Sequence, residues 1–149
     1  MASITVNTNI AEVNTRISAK LDKLRDKEYV LRPLCFDLLE LMKKRIHEDG
    51  LNAAGTPIGT YSKNYLLQRQ RKYQRSSDPK VVVSLTRQLE NDWSVIATSK
   101  GYGIGFKNKF NLQKARWVEA QKGAIFSMTA EENRYASDFI SHKTEEALK

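Results

Sequence analysis

The stretch "SVIATSKGYGIGF", Ser94–Phe106, decides the fold class. Two short apolar-rich runs, Ser94–Thr98 and Tyr102–Phe106, flank "SKG", and Gly101 is free to take the positive φ that a tight turn asks for. A β-hairpin is therefore expected in a chain whose long periodic segments all read as helices. Gly103 and Gly105 fall on one side of the second strand, which leaves that face bare for close approach by another backbone or subunit.

Just upstream, "VVVSL", Val81–Leu85, is β-branched and short, and reads as a further strand. "TRQLENDW" between them reads as one or two helical turns or a bulged link.

The N-terminal region is helical. Asn9 with Glu12 forms a capping-box pattern, and Ile10, Val13, Ile17, Leu21 and Leu24 follow as one apolar stripe. "RDKEY" breaks the pattern, and Pro33 suits the first turn of a second helix. Leu31, Leu34, Cys35, Leu38, Leu39, Met42 and Ile46 give that helix a wide apolar face, the expected centre of the core, and Gly50 is its expected stop.

"GLNAAGTPIGT", residues 50–60, reads as a long central loop able to reach a neighbouring subunit. A basic helix is expected to begin near Ser62 and to end at "SSDPK". Past the hairpin, "NLQKARWVEAQKG" reads as a short helix closed by Gly123, and "AIFSM" as an extended link. Thr129 and Glu132 form a second capping-box pattern before a last helix bearing Tyr135, Ala136, Phe139 and Ile140 on one side. The polar "HKTEEALK" is expected to fray.

The expected class is α+β: a small antiparallel sheet packed by N-terminal and C-terminal helices around a long central loop. Residues 1–149 make one domain, with a helical region (1–50), a loop and basic helix (51–80), a β-rich core with a short helix (81–127) and a C-terminal helix (128–149).

Charge is unevenly placed. Residues 1–50 carry nine Lys/Arg against eight Asp/Glu, residues 51–123 thirteen against four, and residues 124–149 three against five. The net +8 therefore arises in the middle of the chain, a field that favours polyanions or an acidic protein surface. No apolar run reaches membrane-spanning length, so no membrane partner is expected. Cys35 is the sole cysteine and reads as a buried thiol.

Catalytic patterns are missing. His47 and His142, the two histidines, have no triad-like spacing to Ser, Cys or a carboxylate. His47 falls in the last turn of a helix, where a partly charged imidazole suits the dipole. Glu131 and Glu132 point apart on a helix, and capping accounts for Glu132. "GYGIG" lacks the Lys-Ser/Thr of a phosphate loop. No cofactor or metal site is read from these residues, and no enzyme is expected.

The basic segment is the strongest local signal. Arg69, Arg71, Lys72 and Arg75 lie within seven residues, with Tyr65 and Tyr73 interleaved and Tyr61 just before. Arginine and lysine neutralise phosphates and tyrosine stacks on bases, so a small nucleic-acid-binding module is one reading. A solvated helix face, or a patch meeting an acidic neighbouring subunit, is the other. Trp93 and Trp117 read first as core, although a half-exposed tryptophan in "KARWVEA" suits a subunit interface. A small nuclease or toxin is the weakest reading, because carboxylates are not grouped.

The order of segments resembles the virion-morphogenesis proteins of long-tailed bacteriophages, the group of tail-completion and head–tail joining proteins. Gly55, Pro57, Tyr61, Ser62 and Tyr65 match its "G-x-P" and Tyr/Trp-Ser-x-x-Tyr/Thr elements. Leu85, Thr86, Leu89 and Trp93 match a "L-T-G-x-L" stretch, in which Arg87 stands where the pattern carries glycine. Ile104 and Gly105 match a hairpin ending in "I-G". Lys114, Ala115, Glu119, Gly123, Ile125, Phe126, Thr129 and Glu132 match the closing segments. The likeness covers about residues 34–135.

What the resemblance implies is a non-enzymatic virion part, made in the host cytoplasm and placed at the neck or upper end of the tail. Such proteins form rings of about six copies. The implied partners are copies of the chain itself, adjoining neck or tail proteins, and DNA in the channel. Gly103, Gly105 and Trp117 would lie at the subunit interface, and the basic segment would meet an acidic ring or the DNA.

Overall fold

The computed structural model describes residues 9–149. Helix α1, Ile10–Arg25, and helix α2, Lys27–Lys43, meet at the single residue Asp26, whose backbone is extended and whose carboxylate accepts a hydrogen bond from the Glu28 N–H. That cap starts α2 six residues before Pro33, so the proline lies inside the helix and not in its first turn. Asn9 occupies the cap position of α1 but makes no side-chain cap bond among the described residues, and Glu12 pairs with Arg16 instead.

A π-helical turn, Lys44–Asp49, extends α2 and ends at Gly50, which takes φ 67°. A Cβ there would stand 2.6 Å from the Val81 carbonyl oxygen, so both the backbone angle and the packing call for glycine. The turn rotates Ile46 into the core beside Leu39 and Met42, where Ile58, Val81, Trp93 and Ile125 close around it. Ile46 and Ile125 are fully buried, each contributing about 1.5–3 kcal/mol of hydrophobic transfer. Trp93 stacks on Phe106 and meets Phe126 edge-on.

The hairpin forms as expected. Strands β1, Trp93–Thr98, and β2, Gly101–Phe106, pair antiparallel from Trp93↔Phe106 to Thr98↔Gly101. Trp93, Val95, Ile104 and Phe106 join the core, which gives the small sheet its packed face. With helices α3, Lys63–Tyr73, α4, Gln88–Asp92, α5, Lys109–Lys122, and α6, Ala130–Leu148, the fold is α+β, a two-stranded sheet packed by helices.

Three expectations fail here. Val81–Leu85 is not a strand: its ladder stops at the single bridge Thr60↔Lys80. Side chains take the carbonyls that a partner strand would have used. Tyr61 Oη donates to Val82, Arg69 Nη2 to Ser84 and Arg75 Nε to Leu85. The loop at 50–60 is pinned and does not reach out. Leu51 bridges Pro57, Ala53 N–H donates to the Ala124 carbonyl, and Ile58 is core. The C-terminal end is helical through Leu148, with Ala147 buried and the Leu148 carbonyl accepting from Lys20 Nζ.

Candidate functional site

The basic segment folds as α3. Ser62 Oγ accepts from the Tyr65 N–H at its start, and Gln74 turns left-handed at its end. Four cations lie along and just beyond this helix, yet they do not share a role. Arg69 turns inward and is only 4% exposed. Its Nη1 donates to Tyr61 Oη at 3.2 Å, and its guanidinium lies 4.3 Å from the Tyr61 ring centre and 5.8 Å from that of Tyr65. The contact role expected for Arg69 is thus corrected: it ties α3 to residues 82–84. Arg75 is half-buried on Leu85. Arg71 and Lys72 alone of the four remain exposed.

The tyrosines follow suit. Tyr61 and Tyr65 are half-buried with ring centres 5.1 Å apart. Burial pushes the Tyr61 phenol pKa up, against the pull of Arg69. Tyr73 is half-buried, with Lys72 Nζ 5.5 Å from its ring centre.

A groove of about 520 Å³ runs beside this cluster. Residues 81–89 line it, with Tyr61, Tyr65 and Arg69 from the α3 side and Lys114, Val118 and Lys122 from α5.

Helix α5 begins at an Asn108 cap and ends at Gly123. Its outer side carries Phe110 at 68% and Trp117 at 61% exposure, seven residues apart and so on one helix face. Trp117 is therefore outside the core, and Trp93 is in it. On the hairpin, none of the described residues lies within 4 Å of where a Gly103 Cβ would stand, whereas Ile96 Cδ1 leans to 3.0 Å over Gly105. The bare face expected there is open at Gly103 and half-covered at Gly105. A second apolar surface lies on α1, where Ile10, Val13, Ile17 and Leu21 are all exposed.

The histidines separate. His142 is exposed. His47 is buried edge-on to Trp93, and neither ring nitrogen finds a hydrogen-bond partner among the described residues. Burial lowers its pKa, so the partly charged imidazole expected at this helix end is corrected to a neutral one. Cys35 is buried, and burial raises its thiol pKa.

Sequence reasoning missed Arg45. Its Nε donates to Glu132 Oε1 at 2.7 Å and its Nη2 to Glu132 Oε2 and the Ser127 carbonyl. Its Nη1 donates to the carbonyls of Leu51 and Ile125. Every guanidinium N–H is thus used. Nothing local marks this, because most of its partners lie about eighty or more residues along the chain. Glu132 does complete the capping box with Thr129 that the sequence suggested.

Among the described residues no group of His, Cys, Asp or Glu could hold a metal ion, and no helix is long and apolar enough to cross a membrane. No family model matches the chain, and no match to it was found among curated protein sequences or solved structures.

Proposed function

We propose that this chain is a structural subunit of a long-tailed bacteriophage virion, a neck or tail-completion ring protein that joins tail to head by self-assembly. The observation that carries this reading is the pair of exposed apolar helix faces. One is Ile10, Val13, Ile17 and Leu21 on α1, which packs on α2 and α6. The other is Phe110 and Trp117 on α5, which packs on α4 and β2. A closed ring needs two different patches on each subunit that complement one another. Aligned apolar side chains are surfaces that association covers, unlike single scattered ones.

The backbone at Arg87 also supports the resemblance. Its φ of 59° lies in the left-handed region, the conformation that the glycine of the family pattern takes without strain. The rival, a nucleic-acid-binding module, loses ground because Arg69 is internal and its guanidinium lies over the Tyr61 ring.

Native mass spectrometry with negative-stain imaging tests the proposal. We expect a closed ring for the wild-type chain, and folded monomers for Trp117→Asp and Ile17→Asp. A monomer at every concentration reached overturns the reading. Steeply salt-dependent DNA binding by that monomer would favour the rival.

A further inference from the structure

We infer that the groove along residues 81–89 receives an extended, acidic peptide segment of a partner protein. The inference stands apart from the ring reading, since a chain that stays monomeric still has this groove.

Three features converge on it. The first is backbone. Within 81–85, Val81 N–H donates to the Gly59 carbonyl and Ser84 N–H to the Val82 carbonyl. The N–H groups of Val82, Val83 and Leu85 donate to no acceptor among the described residues, while the carbonyls of Val82, Ser84 and Leu85 are taken by Tyr61, Arg69 and Arg75. Three N–H groups and the carbonyls of Val81 and Val83 are thus left without a hydrogen-bond partner among the described residues. An incoming main chain offers carbonyls that suit these N–H groups, as peptides do when they bind along an unpaired backbone edge.

The second feature is charge. Arg87, Lys114 and Lys122 line the groove, and among the described residues no Asp or Glu lines it, while Glu90 accepts from the Ser84 hydroxyl at its edge. Lys114 Nζ donates to the Gln88 side chain, and Arg87 and Lys122 make no side-chain hydrogen bond to the described chain. Carboxylates on the occupant would neutralise these cations.

The third feature separates peptide from nucleic acid. Val118, Leu85 and Leu89 give the groove apolar walls suited to aliphatic side chains. A single strand of nucleic acid would instead need open aromatic faces for stacking. The two aromatic residues of the groove, Tyr61 and Tyr65, lie against one another and beside the Arg69 guanidinium.

The test pans a random linear heptapeptide library against the full chain. Enriched peptides are then measured by fluorescence anisotropy and by amide hydrogen exchange of the complex. We expect them to combine Asp or Glu with aliphatic residues and to slow exchange at Val82, Val83 and Leu85. We also expect at least a ten-fold loss of affinity for Lys114→Glu/Lys122→Glu, which changes two exposed side chains and keeps the fold by circular dichroism. Weakening of the wild-type complex by high salt gives the same reading without a mutation. The inference is overturned if nothing enriches or if the peptides bind the double variant equally well. It is also overturned if exchange at the three amides does not change, or if oligo-dT displaces every peptide.

Discussion

Arg45 and Glu132 meet at 2.7 Å with both side chains almost wholly removed from solvent. The carboxylate accepts two guanidinium bonds and one from the Thr129 N–H, so the pair is satisfied on both sides. Removing one partner of such a pair strands the other as an uncompensated buried charge, which typically costs about 3–5 kcal/mol. We expect Arg45→Met to lose stability on that scale in urea titrations, and Arg45→Met/Glu132→Leu to lose less than the sum of its two single changes. Full additivity would show that the two side chains act independently.

The four cations of the basic segment should separate by stability. Arg69 bridges Tyr61 and Ser84 from a buried position, so Arg69→Ser leaves an orphaned carbonyl and a void, and we expect a loss of about 2–4 kcal/mol. Arg71→Ser and Lys72→Ser change exposed groups and should stay within about 0.5 kcal/mol of wild type. Chemical denaturation of the three single variants checks this ranking, and equal losses for all three would contradict it.

His47 sets a pH dependence. Its folded pKa is lowered by burial. As pH falls through about 6.5, the unfolded chain takes up a proton that the folded chain does not, so stability drops with falling pH until the folded imidazole also titrates. At higher pH the group adds no slope. His47→Phe keeps the edge contact with Trp93 and removes two unpartnered nitrogens. We expect it to gain about 1 kcal/mol at neutral pH and to flatten the profile between pH 7 and the acid limb. An unchanged slope in thermal melts across that range would assign the dependence to other groups.

Arg87 carries a backbone signature that substitution can read. For a non-glycine residue the left-handed conformation costs about 1–2 kcal/mol. Arg87→Gly relieves this but loosens the unfolded chain, so the net change should lie between zero and about 1 kcal/mol of gain. Arg87→Val puts a β-branched side chain at the same φ and should destabilise by more than about 1 kcal/mol. The order Gly, Arg, Val in melting temperature is the expected outcome.

Local pattern carried the parts of the fold held by neighbours in sequence. The hairpin was legible because Gly101 and two flanking apolar runs specify both turn and strands. The caps at Ser62 and Thr129 and the stop at Gly50 were legible because each bonds within its own turn or takes a left-handed angle that favours glycine. What stayed hidden depends on distant partners. "VVVSL" has strand composition, but Tyr61, Arg69 and Arg75 occupy the carbonyls that define a strand. Arg45 went unread and Arg69 was read as a contact cation, since side-chain type says nothing of which backbone carbonyls will surround it. Of the candidate residues, Arg71, Lys72 and Trp117 are exposed, and Gly103 is open to approach.

The wiring of Arg45 also sets an order of events during synthesis. Its acceptors at Ile125, Ser127 and Glu132, and the Ile125 side chain that shares a core cluster with Ile46, are all synthesised eighty or more residues after Arg45. Until then α2 displays its apolar face and a charge without a counterpart. The Arg45 lock can therefore close only once residues 125–132 are free of the ribosome. A product truncated ahead of residue 124 is left without this lock.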